Sequence, residues 1–234
     1  MIKLESASWP KDTVIPHKSK VHSILASLNV PIRKEELVYR SLVPEDVPEL
    51  IRLESEWFPN DYSGNLYREI ADKQRIALGC FWKAVNGQSL MMGAVIARYE
   101  TSSDALLYVG KEKIIGVESR CTRVTNYFRN WRNENLYITT IGVIDEARRL
   151  GIATTFLNIL YEKAKERPNC ISISLHVKEN NYPARKCYER NEYIHVFTVP
   201  NYYRYKKESS NGLYYIKVVK RSLADLSLLD KQRV

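Results

Sequence analysis

Arg148-Arg149-Leu150-Gly151-Ile152-Ala153-Thr154 is the stretch that decides the fold of this chain. The run 137–143 before it is rich in β-branched residues and predicts a strand. After it, apolar residues recur with the spacing of one helix face, at Ala153, Phe156, Leu157, Leu160 and Ala164. A short turn therefore leads the chain from a strand into a helix.

The chemistry of such a turn favours anions. The first backbone N–H groups of a helix have no partner within the helix, and the helix dipole is positive at that end. Gly151 lets the backbone approach a ligand closely, Ala153 is the next-smallest residue, and Arg148 and Arg149 add positive charge. The stretch predicts a pyrophosphate cradle. Taken alone, it is equally compatible with an ordinary strand-to-helix turn that carries basic residues.

Composition limits the class of protein. The chain has 234 residues, 44% of them hydrophobic, which is normal for one globular domain with extensions. We find no membrane-spanning run and no signal peptide. Four cysteines lack a CxxC pair, so we expect reduced thiols and no metal site. The net charge of +9 favours anionic partners and allows contact with a membrane surface, but no nucleic-acid motif is present, and we expect no nucleic acid to bind.

Periodicity and turn signals divide the chain into regions. Residues 1–36 predict an irregular extension with a short helix at 21–28, and residues 222–234 a short tail. The domain at 37–221 has the predicted order β, α, α, β, β, β, α, β, α, β, β. Its second and third strands, 76–85 and 90–99, form a hairpin at Asn86-Gly87, and its last strand begins after the turn pair Asn211-Gly212. Residues 100–134 predict a long insertion between strands three and four.

The pattern Arg-x-x-Gly-x-Ala at Arg148–Ala153 resembles the acetyl-CoA loop of the GNAT acetyltransferases. The order of predicted elements is also similar to theirs. The resemblance implies an α/β (α+β) fold with a central mixed seven-stranded sheet flanked by helices and with the phosphate loop after the fourth strand. It also implies acetyl-CoA as cosubstrate and no metal.

Four further stretches resemble the N-terminal (Nα) acetyltransferases, and most of all the Golgi-associated type F enzymes. They are the substrate loop Trp57-Phe58-Pro59-Asn60-Asp61-Tyr62, the fourth strand at 137–143, Leu175-His176-Val177, and the Tyr-rich hairpin loop Pro200-Asn201-Tyr202-Tyr203-Arg204. The resemblance implies direct transfer of acetyl from acetyl-CoA to protein N-termini, with Met-starting substrates. Type F enzymes carry a C-terminal region that binds membranes and that is longer than the tail at 222–234. We therefore expect a cytoplasmic protein, with the cytosolic face of the Golgi as the other location.

The resemblance assigns Tyr137 and His176 as a catalytic pair that works through ordered water. The imidazole suits a base by its ordinary pKa, although a strand histidine taken alone is more often structural. The implied cofactor-binding residues are Ile141, Gly142, Val143, Arg148, Arg149, Leu150, Gly151, Ile152, Ala153, Thr154, Asn181 and Tyr188. The implied substrate-binding residues are Phe58, Pro59, Tyr62, Thr139, Tyr202 and Tyr203.

Two other functions stay open at this point. One is a lysine, histone or polyamine acetyltransferase of the same fold. The other is a scaffold module of this fold that has lost catalysis and uses residues 100–134 for docking. The residues alone do not determine the oligomeric state or the substrate sequence.

Overall fold

A computed structural model describes residues 20–28, 31–58, 64–84, 87–101, 133–205 and 208–219. Three 3-10 turns, Lys34–Glu36, Pro44–Asp46 and Asp145–Ala147, connect the longer elements. In chain order these are α1 (Lys20–Leu28), β1 (Leu37–Ser41), α2 (Val47–Trp57), α3 (Gly64–Ala71), β2 (Ile76–Lys83), β3 (Ser89–Thr101), β4 (Glu134–Val143), α4 (Ile152–Glu166), β5 (Cys170–Lys178), α5 (Tyr182–Arg190), β6 (Ile194–Tyr205) and β7 (Glu208–Val218).

The seven strands form one sheet in the order β1-β2-β3-β4-β5-β7-β6. Strands β4 and β5 are parallel, and every other neighbouring pair is antiparallel. The predicted mixed sheet, its element order and the short helix at 21–28 are confirmed. Because α4 connects two parallel neighbours, it crosses one face of the sheet and buries its apolar side there.

Helix α4 shows why this sequence folds as it does. Gly151 precedes it in the left-handed conformation, with φ of +83°, a geometry that side chains disfavour. Phe156, Leu157 and Leu160 are buried on the face that meets the sheet. The edge of the Tyr39 ring on β1 contacts the Phe156 ring, with centroids 5.5 Å apart. These contacts fix the start of α4 directly after β4.

A buried polar network joins β4 and β5 where they begin. Asn135 is fully buried and donates from Nδ2 to Ser174 Oγ at 2.6 Å. Ser172 Oγ donates to Asn135 Oδ1 at 2.8 Å. Since each buried polar group here has a partner, the network fixes the register of the two strands without an unmet hydrogen bond.

The structure corrects one part of the predicted topology. Asn211-Gly212 is not a turn but lies within β7, and 200–204 is not a loop but part of β6. The pairing of β6 with β7 continues past a bulge between Val199 and Tyr203. Position 212 requires a residue without a Cβ, because a Cβ on Gly212 would stand 2.8 Å from the Tyr202 side chain. The turn signal was wrong because close approach and turning both favour glycine.

Several predictions fall on other parts of the chain. Residues 1–19, Asn86, most of the 100–134 insertion, and the tail at 222–234 lie outside the described residues. At the edges of the insertion, β3 extends to Thr101 and β4 begins at Glu134. Among the helices that the structure describes, none has the length and apolar character that crossing a membrane requires.

Candidate active site

The seam between β4 and β5 opens halfway along the strands. The two strands pair from Glu134 and Cys170 as far as Ile138 and Leu175. Beyond that point β4 and β5 no longer pair with each other, although β4 stays paired with β3 and β5 stays paired with β7. A bulge lies at the opening, because Ile96 pairs with Thr140 and Ala97 with Ile138, which leaves Thr139 as the extra residue. The backbone of β4 after Ile138 therefore faces a gap in the sheet.

A cavity of about 830 Å³ occupies this gap. Its volume suits a substrate of cofactor size. The lining residues come from seven elements and from two of the segments between them. They are Trp57, Phe58, Arg98, Tyr137, Ile138, Thr139, Thr140, Ile141, Leu175, His176, Val177, Lys178, Asn180, Asn181, Ala184, Tyr188, Tyr202, Tyr203, Ser209 and Ser210.

Three aromatic side chains meet at the centre of the cavity wall. Tyr137 Oη lies 3.0 Å from His176 Nδ1 and 3.4 Å from Tyr202 Oη. The rings of His176 and Tyr202 are stacked, with centroids 4.2 Å apart and planes 9° apart. The structure therefore brings the predicted catalytic pair into hydrogen-bond contact and covers the imidazole with a predicted substrate-binding tyrosine.

Burial sets the charge state of the imidazole. Desolvation lowers the pKa of His176 to about 3. The ring is therefore neutral at physiological pH, with one nitrogen that donates and one that accepts a hydrogen bond. An uncharged His176 can hold the Tyr137 hydroxyl and a polar ligand atom in a fixed geometry.

Tyr188, on α5, lines the same cavity. Its side chain is buried, and desolvation raises the pKa of its hydroxyl well above the ordinary value. Within the described residues the hydroxyl makes no hydrogen bond, although the residue lines the cavity. Asn181 begins the same helix and accepts a hydrogen bond from Ala184 N at 3.3 Å. This side of the cavity thus offers one protonated phenol and one amide.

The predicted phosphate loop lies at the end of β4, outside the lining of the cavity. Arg149 and Gly151 both have left-handed backbones, with φ of +68° and +83°. Arg148 pairs with Asp145 at 2.6 Å on the surface. The Gly151 carbonyl accepts from Thr155 N at 2.9 Å, which leaves the preceding N–H groups of α4 without intrahelical partners. The loop has the geometry of an anion site.

Gly142 has a neighbour that the sequence did not indicate. A Cβ on Gly142 would stand 2.0 Å from Cε3 of Trp57. The indole at the end of α2 therefore packs directly on the backbone of β4. The Trp57 side chain therefore fills the space beside Gly142, a residue that the resemblance assigns to cofactor binding.

The cavity brings together nine of the predicted site residues. They are Phe58, Tyr137, Thr139, Ile141, His176, Asn181, Tyr188, Tyr202 and Tyr203. Gly142, Val143 and the loop residues 148–154 lie beside this lining rather than in it, while Pro59 and Tyr62 are outside the described residues. No cluster of potential metal ligands occurs in the described part of the chain.

Sequence reasoning missed the charges of the cavity wall. Arg98 and Lys178 line the cavity, and the described lining contains no carboxylate. Lys178 follows His176 by two residues, so strand alternation would have placed it on the same face. Arg98 pairs in register with Tyr137 across β3 and β4, which no local pattern reveals. Arg98 also forms an ion pair with Glu100 at 2.5 Å.

A buried carboxyl group lies behind the cavity wall. Glu54 of α2 is 1% exposed and accepts a hydrogen bond from Tyr67 Oη at 2.9 Å. Burial raises the pKa of Glu54, and hydrogen bonds from Thr140 and Tyr67 oppose that shift. Since Thr140 lines the cavity, this carboxyl connects α2 and α3 to the strand that carries Tyr137.

The family is established by comparison with known proteins. Residues 47–193 match the model of the acetyltransferase (GNAT) family, and the chain belongs to this family. Among curated relatives it is 27% identical over 225 residues to N-alpha-acetyltransferase 60 of Drosophila melanogaster, covering 89% of this chain and 76% of the relative.

Two other similarities bear on the site. The chain is 22% identical over 196 residues to histone acetyltransferase MCC1 of Arabidopsis thaliana, covering 82% of this chain and 74% of the relative. Among solved structures, NAA60 of Arabidopsis thaliana in complex with a bisubstrate analogue aligns with a TM-score of 0.67 at 20% identity. That alignment covers 80% of this chain and 99% of the other chain.

Proposed function

We propose that the protein transfers the acetyl group of acetyl-CoA to the α-amino group of protein N-termini, with Met-starting chains preferred and direct transfer in a ternary complex. The observation that carries the proposal is the open β4–β5 seam, where Tyr137 and His176 are 3.0 Å apart and Tyr188 lines the same cavity. The relatives named N-alpha-acetyltransferase 60 support it.

The donor side fits acetyl-CoA, which supplies an activated acetyl thioester. The unpaired edge of β4 at Thr139–Val143 can hydrogen-bond an extended amide chain such as pantetheine, like an added strand. The loop before α4 suits the diphosphate. Tyr188 keeps its proton at Oη and so has a hydrogen to donate where a leaving thiolate needs one.

The acceptor side must present a neutral amine. A protein α-amino group has a pKa of about 8, whereas the lysine side chain has one of about 10.4. The described cavity wall carries Lys178 and no carboxylate, while Arg98 is paired with Glu100, so the charge of Lys178 favours loss of the proton from a bound ammonium group. The neutral form is thus reached more easily by an α-amine than by a lysine.

The Tyr137–His176 pair then orients the amine, and bound water rather than the imidazole takes its proton, because burial lowers the pKa of His176 to about 3. The neutral imidazole holds the Tyr137 hydroxyl at 3.0 Å, and a water bound between the pair and the amine conducts the proton to solvent. Phe58, Tyr202 and Tyr203 supply aromatic contact for the first residues of the peptide.

A lysine or histone acetyltransferase is the second candidate, because one relative bears the name histone acetyltransferase MCC1. A scaffold without catalysis is not favoured, since the described cavity retains the catalytic pair. For location we propose the cytoplasm, and contact with the cytosolic face of the Golgi remains part of the proposal.

The test uses three acceptors with acetyl-CoA. They are a Met-starting peptide with a free N-terminus, the same sequence with a blocked N-terminus and one internal lysine, and spermine. We expect turnover of the first at least about a hundredfold faster than of the others, measured as thiol release and by mass spectrometry. Turnover of the blocked peptide or spermine alone would refute the proposal. Absence of acetyl-CoA binding by calorimetry would favour the scaffold.

A further inference from the structure

Residues 20–36 lie before the region that matches the family model, yet they pack against the start of the cofactor loop. Val21 of α1 is buried in the core of the domain. His22 contacts two carboxylates from different elements: Nδ1 lies 2.6 Å from Glu146 Oε1, and Nε2 lies 2.9 Å from Glu56 Oε2. Glu146 belongs to the 3-10 turn Asp145–Ala147, which leads directly into the loop.

The chemistry of His22 explains why α1 stays at this position. A neutral imidazole has one N–H group, so contact with a carboxylate at both nitrogens requires the protonated ring. The hydrogen bond to Glu146 is the largest influence that raises the pKa of His22, with Glu56 acting in the same direction and burial against it. The charged ring therefore joins α1 to α2 and to the turn before the cofactor loop.

The same segment then carries a lysine to the start of α4. The Nζ atom of Lys34 lies 3.9 Å from the position that a Cβ on Gly151 would take. Its place is fixed by neighbours in the chain. Trp82 Nε1 donates to Glu36 Oε2 at 2.6 Å, and Leu37 begins β1 as a buried residue. Two residues further on, Tyr39 contacts Phe156 in the first turns of α4.

Lys34 adds a further positive charge to the basic start of α4. The positive end of the α4 dipole and the side chains Arg148 and Arg149 already concentrate positive charge there. Arg148 is neutralised by Asp145, but within the described residues Lys34 forms no ion pair. A cation that a folded segment holds at this point gains energy when a phosphate binds between it and the helix N-terminus.

We propose that Lys34 is a further cofactor-binding residue, whose ammonium group contacts a phosphate of coenzyme A at the start of α4, so that residues 20–36 form one wall of the nucleotide site. The proposal rests on the proposed function, since it takes coenzyme A as the ligand. It gives the N-terminal segment a role that the family region alone does not contain.

The test is calorimetric titration of coenzyme A into the full chain and its Lys34→Met, Lys34→Arg and Lys165→Met variants. Lys165 is the matched control, because it lies at the far end of the same helix, about 20 Å from its start. We expect Lys34→Met to weaken binding about tenfold, Lys34→Arg to retain most of the affinity, and Lys165→Met to change it less than about twofold. The KM for peptide should not change in any variant.

Titration of 3′-dephospho-coenzyme A identifies the phosphate. If the effect of Lys34→Met disappears with this ligand, the contact is with the 3′-phosphate. If it persists, the contact is with the diphosphate, and both results support the proposal. Equal affinity of wild type and Lys34→Met for coenzyme A would overturn it, whereas a wild type that binds no coenzyme A would instead reject the proposed function.

Discussion

The two halves of the β4–β5 seam differ in what fills them. In the first half, Asn135, Ser172 and Ser174 satisfy one another in a fully buried network. In the second half the strands separate, and a cavity opens there that is lined by His176 and Tyr202 and by Tyr137, which lies just before the separation. The polar groups of the closed half meet one another in the interior, whereas those of the open half meet one another at the wall of a cavity. The difference shows how one pair of strands can both hold the sheet together and provide a reactive opening.

The largest effect is expected from the open half. Replacing His176 with Ala, or Tyr137 with Phe, removes the 3.0 Å contact that orients the amine. We expect kcat/KM for a free N-terminal peptide to fall about 10²- to 10³-fold, with little change in the affinity for acetyl-CoA. Tyr161→Phe on α4 is the control, since this tyrosine is not among the lining residues. Full activity of either site variant would show that the pair is not catalytic.

A substitution in the closed half should lower the stability of the protein rather than its activity. Asn135→Ala leaves the buried hydroxyls of Ser172 and Ser174 without their partner, and we expect the free energy of unfolding to fall by about 2–4 kcal/mol. Urea titration measures this loss. Asn158→Ala, on the exposed face of α4, should change it by less than about 0.5 kcal/mol. If the folded Asn135→Ala protein loses kcat/KM as strongly as the His176 variant, the two halves are not separable.

A smaller effect is expected in the pH dependence of stability, to which the buried His176 of the open half contributes. The pKa of His176 is about 3 in the folded protein, against an ordinary value of 6.5 for histidine. Between these values the unfolded chain binds a proton that the native protein does not. Native stability should therefore fall as pH is lowered, by up to about 1.4 kcal/mol per pH unit from this residue. His176→Asn should show a shallower loss between pH 6.5 and 4.5 in chemical denaturation, and parallel curves would contradict the assigned pKa.

The parts of the fold that the sequence could predict are those whose cause is local. The loop at Gly151 combines a strand, a left-handed glycine and an amphipathic helix within thirty residues, and each leaves a recognisable pattern. The cavity depends on pairs distant in sequence, such as Arg98 with Tyr137. Local patterns therefore did not reveal the charged wall. The turn predicted at Asn211-Gly212 was wrong for a related reason, because Tyr202, whose ring requires a glycine at 212, belongs to another strand.

The strand order has a consequence for synthesis of the chain. Strand β7 lies between β5 and β6, and Tyr202 on β6 covers the His176 ring. A nascent chain that has reached Arg190 already contains the loop, α4, β5 and α5, but it lacks the two strands that cover the imidazole. Until β7 has left the ribosome, the edge of β5 is open to other strands, and the acceptor half of the enzyme does not exist. Competence for the reaction is therefore acquired in one late step of translation.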